Sequence, residues 1–123
     1  MAGDNKSFKE ELKRRIYSFV LSFLNFVENL PKNDSTARII RDQLIRSGTS
    51  VGANYVEAIA GSSKKDFTNF LSHALKSANE SKFWLALLRD TNKTEKEKVE
   101  GLLKELNEIS SILATSVRTL KAR

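Results

Sequence analysis

Glu57 and Glu80 are the residues of this chain best suited by type and surroundings to do chemistry. Each falls on a segment with helical periodicity. Asn54 precedes Glu57 by three residues, and His73 precedes Glu80 by seven, on the same helical faces. Two carboxylates can share acid and base roles when geometry brings them to one substrate. The same side chains can instead make polar contacts between helices, with Asn54, Arg46, Lys76 or His73 as partners. An unpartnered buried carboxylate is costly, so a hydrogen-bonded network or subunit interface is the preferred reading and no enzyme activity is expected. His73 is the only histidine and there is no cysteine. One imidazole holds no metal without ligands from elsewhere, so no metal, cofactor or catalytic residue is expected. Gly48-Thr49-Ser50-Val51-Gly52 has the composition of a phosphate-cradling loop. A P-loop, however, follows a strand and ends in Gly-Lys-Ser or Gly-Lys-Thr, and this segment does neither.

These residues must be positioned by helices. Ile40, Leu44, Val51, Tyr55 and Ile59 keep one apolar face through the segment, with Gly48 and Gly52 on it. A glycine inside a helix costs about 1 kcal/mol relative to alanine, and a closely approaching backbone is the expected reason for two of them. The only proline, Pro31, ends the first helix, and Asp34 or Ser35 caps the second. Gly61 ends the second, and Ser63 with Asp66 begins the third as a capping-box-like start. Asp90-Thr91-Asn92 closes the third, with Asn92 and Glu95 or Thr94 and Glu97 opening the fourth. Apolar seams at helical period run through Phe8, Leu12, Ile16, Phe19, Phe23, Phe26 and Leu30 in the first helix. Phe67, Phe70, Ala74, Ala78, Ser81, Leu85 and Leu88 form the third seam, with Trp84 at its edge and Phe83 pointing to a different side. Val99, Leu102, Leu106, Ile109, Leu113, Val117 and Leu120 form the fourth. The reading is all-α: one domain over residues 1–123, an up-down-up-down antiparallel four-helix bundle with helices at about 6–30, 35–61, 64–90 and 94–121.

A lone bundle needs one apolar face per helix, yet three of these helices carry a second pattern. Tyr17, Leu21 and Leu24 point away from the first seam. Asn69, His73, Lys76, Glu80, Phe83 and Leu87 follow their own spacing on the third helix. Arg46, Ser50, Ala53, Asn54 and Glu57 make a strip of small and polar residues on the second. Apolar patches beyond a few hundred Å² usually mark interfaces, so a homo-oligomer built through helices one to three is expected.

Lys and Arg number 21 against 15 Asp and Glu, a net charge of +6 in 123 residues. In the expected topology one end of the bundle gathers Lys6, Lys9, Lys13, Arg14, Arg15, Lys64, Lys65, Arg118, Lys121 and Arg123. Against these ten stand Asp4, Glu10, Glu11 and Asp66, a local excess of six that equals the net charge of the chain. Phosphate contacts dominate nucleic-acid affinity, so Lys6, Lys9, Lys13, Arg14, Lys64, Lys65, Arg118, Lys121 and Arg123 form a candidate RNA- or DNA-binding set. Phe8 and Phe67 lie on the core seam in this reading, so stacking on unpaired bases is not indicated. The alternative is a protein–protein interaction scaffold with incidental charge. The apolar run Ile16–Val27 is shorter than the roughly 20 residues of a membrane span. With no leader-like flank, a cytoplasmic location without membrane association is expected.

The run IRSGTSVGANYVEA, then Ser63-Lys64-Lys65-Asp66-Phe67, then LSHALKSANESKFWL, resembles the family of 23S rRNA-intervening sequence proteins. The matching positions are Arg46, Ser47, Val51, Ala53, Asn54, Glu57, Asp66, Phe67 and Glu80. The chain departs in having Ala58 where the family usually has glycine, and in Ala78-Asn79 and Phe83-Trp84. The resemblance implies a bacterial, cytoplasmic, ring-like homopentamer of four-helix bundles. The family takes its name from genes lying within insertions in large-subunit rRNA. A related branch serves as accessory proteins to the reverse transcriptases of diversity-generating retroelements, which makes such an enzyme a further implied partner.

Overall fold

A computed structural model describes residues 2–123, with side chains from position 6 onward. Four helices follow in order: α1 (Ala2–Glu28), α2 (Ser35–Ala60), α3 (Lys64–Asp90) and α4 (Lys96–Ala122). The described residues contain no strand. Each helix packs against its sequence neighbour, and α1 closes the ring against α4. The pairs run antiparallel: Lys9, Val20 and Phe23 of α1 meet Tyr55, Gly52 and Gly48 of α2 in reverse order.

Local chemistry sets the ends of these helices. The Asp34 carboxylate accepts the Ala37 amide at 2.9 Å, capping α2, and also receives the Lys93 ammonium at 2.8 Å. The Ser63 hydroxyl accepts the Asp66 amide at 3.1 Å and caps α3. At the α3–α4 turn Asn92 has φ of 57°, a left-handed conformation that asparagine tolerates better than most residues. Asn92 is thereby committed to the turn. Glu95 becomes the N-cap of α4 without a side-chain cap bond, so neither capping pair expected from the sequence forms.

The core runs the length of the bundle, and adjacent apolar residues decide its details. Val27, Leu71 and Leu103 are buried where the seams had placed Phe26, Phe70 and Leu102, which are half-buried at the edge of the core. Phe8 is 51% exposed and does not belong to the core. Trp84 is half-buried at the edge of the core, and the Phe83 and Trp84 rings touch edge to face at 5.0 Å rather than diverging.

Helices α2 and α3 make the most extensive close approach in the bundle. Their facing residues are small: Ala74, Ala78 and Ser81 on α3, with Ser47 on α2, all fully buried. The Ser81 and Ser47 hydroxyls are hydrogen-bonded at 2.9 Å, and Ser81 Oγ also lies 2.9 Å from the Ser77 carbonyl. A buried hydroxyl needs such partners. By contrast α1 and α4 approach least and leave between them a groove of ≈ 790 Å³ that includes Phe19, Phe26 and Leu102. Arg15 bridges the two helices, donating to the Glu105 carboxylate at 2.7 and 2.8 Å and also to Glu108.

The glycines have different reasons from the one their spacing suggested. A Cβ at Gly48 would lie 2.3 Å from Cζ of Phe23. It is a ring from α1, not a backbone, that requires the missing side chain. A Cβ at Gly52 would meet only Val20 and Ile16 methyls at 3.6 and 3.7 Å, ordinary contact distances. Phe23 is completely buried and has nowhere to swing. Gly48→Ala should therefore destabilise the fold by about 1–3 kcal/mol, and Phe23→Leu on that background should recover part of the loss. Gly52→Ala should be neutral or stabilising by up to about 1 kcal/mol. Urea unfolding of the variants checks this, and equal effects at the two positions would contradict it.

The Lys93 ammonium and the Ala37 amide hold the Asp34 carboxyl below its ordinary value of 3.8. A group depressed on folding stabilises the fold above its unfolded pKa, and that contribution is lost as pH falls through the folded value. Asp34→Asn keeps a cap acceptor and loses the charge. The native chain should thus melt above the variant at pH 7, and the gap should close as pH falls below about 4.

Candidate functional site

The start of α1, the α2–α3 turn and the end of α4 meet at one end of the bundle. They enclose a depression of ≈ 560 Å³, with Phe8 and Lys9 from α1, Ser62, Lys64 and Phe67 from the turn and α3, and Thr115, Thr119 and Arg123 from α4. The Tyr55 hydroxyl donates to the Lys9 carbonyl at 2.9 Å, tying the start of α1 to the end of α2. Burial, with the nearby Glu10 charge, pushes this phenol up to about 12, so it remains a neutral donor. The Lys9 ammonium lies 4.6 Å from the centroid of the Phe67 ring, an attractive cation–π placement.

The candidate basic residues divide by position. Lys6, Lys64, Lys65, Arg118, Lys121 and Arg123 are exposed, and Lys9 is half-buried. Among the described residues none of them is ion-paired; Arg118 donates weakly to Thr115 Oγ1 at 3.4 Å. Lys13 and Arg14 are also exposed but lie about 17 Å along α1 from its first residue, at 1.5 Å per residue. They extend the cluster as a stripe toward the middle of the bundle. Arg15, counted with the basic end from topology, lies mid-bundle and is engaged by Glu105 and Glu108, which hold its guanidinium more firmly protonated than usual. The side chain of Asp4 lies outside the described residues.

The polar network expected between helices forms in part. Arg46 pairs with Glu80 and donates to the Gln43 side chain at 3.0 and 3.2 Å. The Trp84 indole N–H donates to the same Glu80 carboxylate at 2.9 Å, a partner that the i, i+4 helical spacing could have indicated but that was not among those expected. Glu57, Asn54 and His73 stand outside this network. Glu57 is exposed, Asn54 donates to the Ser50 carbonyl of its own helix at 2.9 Å, and His73 is exposed with its ring against Phe70. Because α3 meets Arg46 at Glu80, Glu57 lies eleven residues farther along α2, about 16 Å. Within the chain the two carboxylates are too far apart to act on one small substrate together. No group of three or more His, Cys, Asp or Glu among the described residues could hold a metal ion.

Some of the apolar residues expected away from the core are exposed, on α1 and separately on α3. Tyr17 is 66% exposed, Leu21 49% and Phe83 58%. Leu24 instead packs half-buried against the core. Ile39 and Val56 on α2 are exposed as well; neither carries a separate periodic signal, because each adjoins a core residue and reads as part of its seam.

If the Arg46–Glu80–Trp84 contact fixes α2 against α3 while Glu57 makes no comparable one, the two alanine variants should differ. Glu80→Ala should lower stability by about 1 kcal/mol, and Glu57→Ala should leave unfolding within about 0.5 kcal/mol. Chemical denaturation distinguishes them.

Helix count and antiparallel order define an all-α four-helix bundle protein. The sequence profile of the 23S rRNA-intervening sequence protein family matches residues 9–115, and the chain belongs to that family. It is similar to a protein of unknown function from the S23 ribosomal protein family of Bacteroides thetaiotaomicron VPI-5482, known from a 1.70 Å crystal structure. The two share 34% sequence identity with a TM-score of 0.82, over 89% of this chain and 97% of that one. No curated protein is significantly similar. No helix among the described residues is long and apolar enough to cross a membrane.

Proposed function

We propose that the protein is a non-catalytic homo-oligomer that associates with RNA or DNA through backbone contacts at its basic end. The observation that carries this reading is the convergence of Lys9, Lys64 and Arg123, from three helices, on one depression with no carboxylate paired to them among the described residues. Elsewhere several cations are engaged by carboxylates, Arg15 by Glu105, Arg46 by Glu80, Arg89 by Asp90 and Glu100, and Lys93 by Asp34, while Lys32, Arg38, Lys76 and Lys104 are spread singly over the surface. The exposed Tyr17, Leu21 and Phe83 support self-association, and the family resemblance implies five copies in a ring. Copies with aligned ends would multiply the positive charge on one face. A cytoplasmic setting suits this role. In a retroelement setting a reverse transcriptase becomes a further partner, so neighbouring genes bear directly on the reading.

Binding of this kind releases counterions, and log K falls by about 0.9 per phosphate neutralised for each tenfold rise in salt. With about five contacts, affinity for duplex DNA should drop roughly 500-fold between about 50 and 200 mM salt. Replacing Lys9, Lys13, Lys64 and Lys65 with glutamate should weaken binding and flatten that slope, measured by fluorescence anisotropy. Absence of binding to RNA and duplex DNA at about 50 mM salt leaves the alternative, a protein–protein scaffold. Light scattering at tens of micromolar should report an oligomer, and a monomer there would contradict the assembly.

A further inference from the structure

We infer that the depression at the basic end holds an unpaired nucleotide of single-stranded RNA or DNA, its base against Phe8 and its phosphates on Lys9, Lys64 and Arg123. This rests on the nucleic-acid reading above and adds to it a base-recognising pocket. Three observations carry it. First, Phe8 is an aromatic ring 51% exposed at the rim of a depression. The face of Phe67 is covered by the Lys9 ammonium, so Phe8 is the ring left open for stacking. Aromatic stacking is tolerant of base identity, because every base has a π-face.

Second, the walls mix apolar surface with hydroxyls. Leu12, Ile59 and Leu120 supply the first; Ser62, Thr115 and Thr119 supply the second. An unpaired base needs both, since it has two flat faces and an edge of donors and acceptors. A fatty-acyl chain would leave the hydroxyls without partners. A paired base in a duplex cannot present its faces at all. The volume of ≈ 560 Å³ falls within the range of small-ligand sites.

Third, the rim is charged and one wall is fixed. The Tyr55 hydroxyl holds the Lys9 carbonyl at 2.9 Å, so the backbone of α1 that carries Phe8 and Lys9 is fixed at the rim before a ligand arrives. Preorganisation of this kind lowers the cost of binding.

The test uses the full chain and four fluorescent probes at equal, moderate salt. These are a single-stranded 12-mer, an abasic 12-mer with the same phosphates, a duplex of the same sequence, and an acidic peptide of equal charge carrying leucine. The 12-mer with bases should bind at least about 10-fold more tightly than the abasic one. Phe8→Ala should remove most of that difference while leaving the abasic strand and the duplex unchanged. Lys64→Glu should weaken all the nucleic-acid probes. Phe8 lies outside the core, and an unchanged thermal melt confirms that the variant is folded. Equal affinity for the two 12-mers overturns the pocket while leaving backbone binding standing. Failure of every nucleic-acid probe to bind overturns both. Peptide binding as tight as the 12-mer's, and as sensitive to Phe8→Ala, assigns the depression to a protein side chain and overturns the inference.

Discussion

Phe23 occupies the space that a side chain at position 48 would fill, and the register of α1 against α2 depends on that contact. Burying a phenylalanine completely is worth about 1.5–3 kcal/mol, more than the roughly 1 kcal/mol a mid-helix glycine costs. The exchange matters most for α1, because its approach to α4 is the sparsest in the bundle. Two polar contacts then fix the helix that Phe23 has seated. The Tyr55 hydroxyl holds its beginning at Lys9, and the Glu105 carboxylate holds its middle at Arg15. Phe8 and Lys9 reach the depression only because this register is set.

The distribution of charge follows from the same geometry. Along the middle and the opposite end, four cations meet carboxylates across helix boundaries: Arg15, Arg46, Arg89 and Lys93. Lys93 against Asp34 also joins the α3–α4 turn to the cap of α2. At the basic end no such pairing is seen among the described residues. Surface pairs contribute little to stability individually. What sets the basic end apart is that its unpaired cations cluster, and they do so beside the one exposed phenylalanine of α1.

Helical period made the four helices and their order legible, because each seam repeats over several turns and the turns carry Pro31, Gly61 and Asn92. It did not decide between adjacent apolar residues. Phe26 and Val27, Phe70 and Leu71, and Leu102 and Leu103 are each about 100° apart on the helix, and only the neighbouring helix selects which one is buried. Gly48 was legible as an oddity, but its cause sits on α1, beyond anything spacing within α2 can reveal. The basic end was legible from topology. The engagement of Arg15 by Glu105 was not, since those residues are far apart in sequence and depend on how α1 meets α4. Phe8 read as core because it continues a seam, yet the seam outlasts the helices available to cover it.

An even number of helices returns the last to the end where the first began. The first turns of α1 and the last of α4 therefore lie on one side, where Phe8, Lys9 and Arg123 line the depression. Residues added or lost at either end would change the size and charge of this surface without touching the core. A short acidic extension would neutralise it, and a basic one would enlarge it. This end of the fold is thus where variation in length alone can retune what the bundle attracts, while the buried Phe23 and Ser81 continue to specify the same four helices.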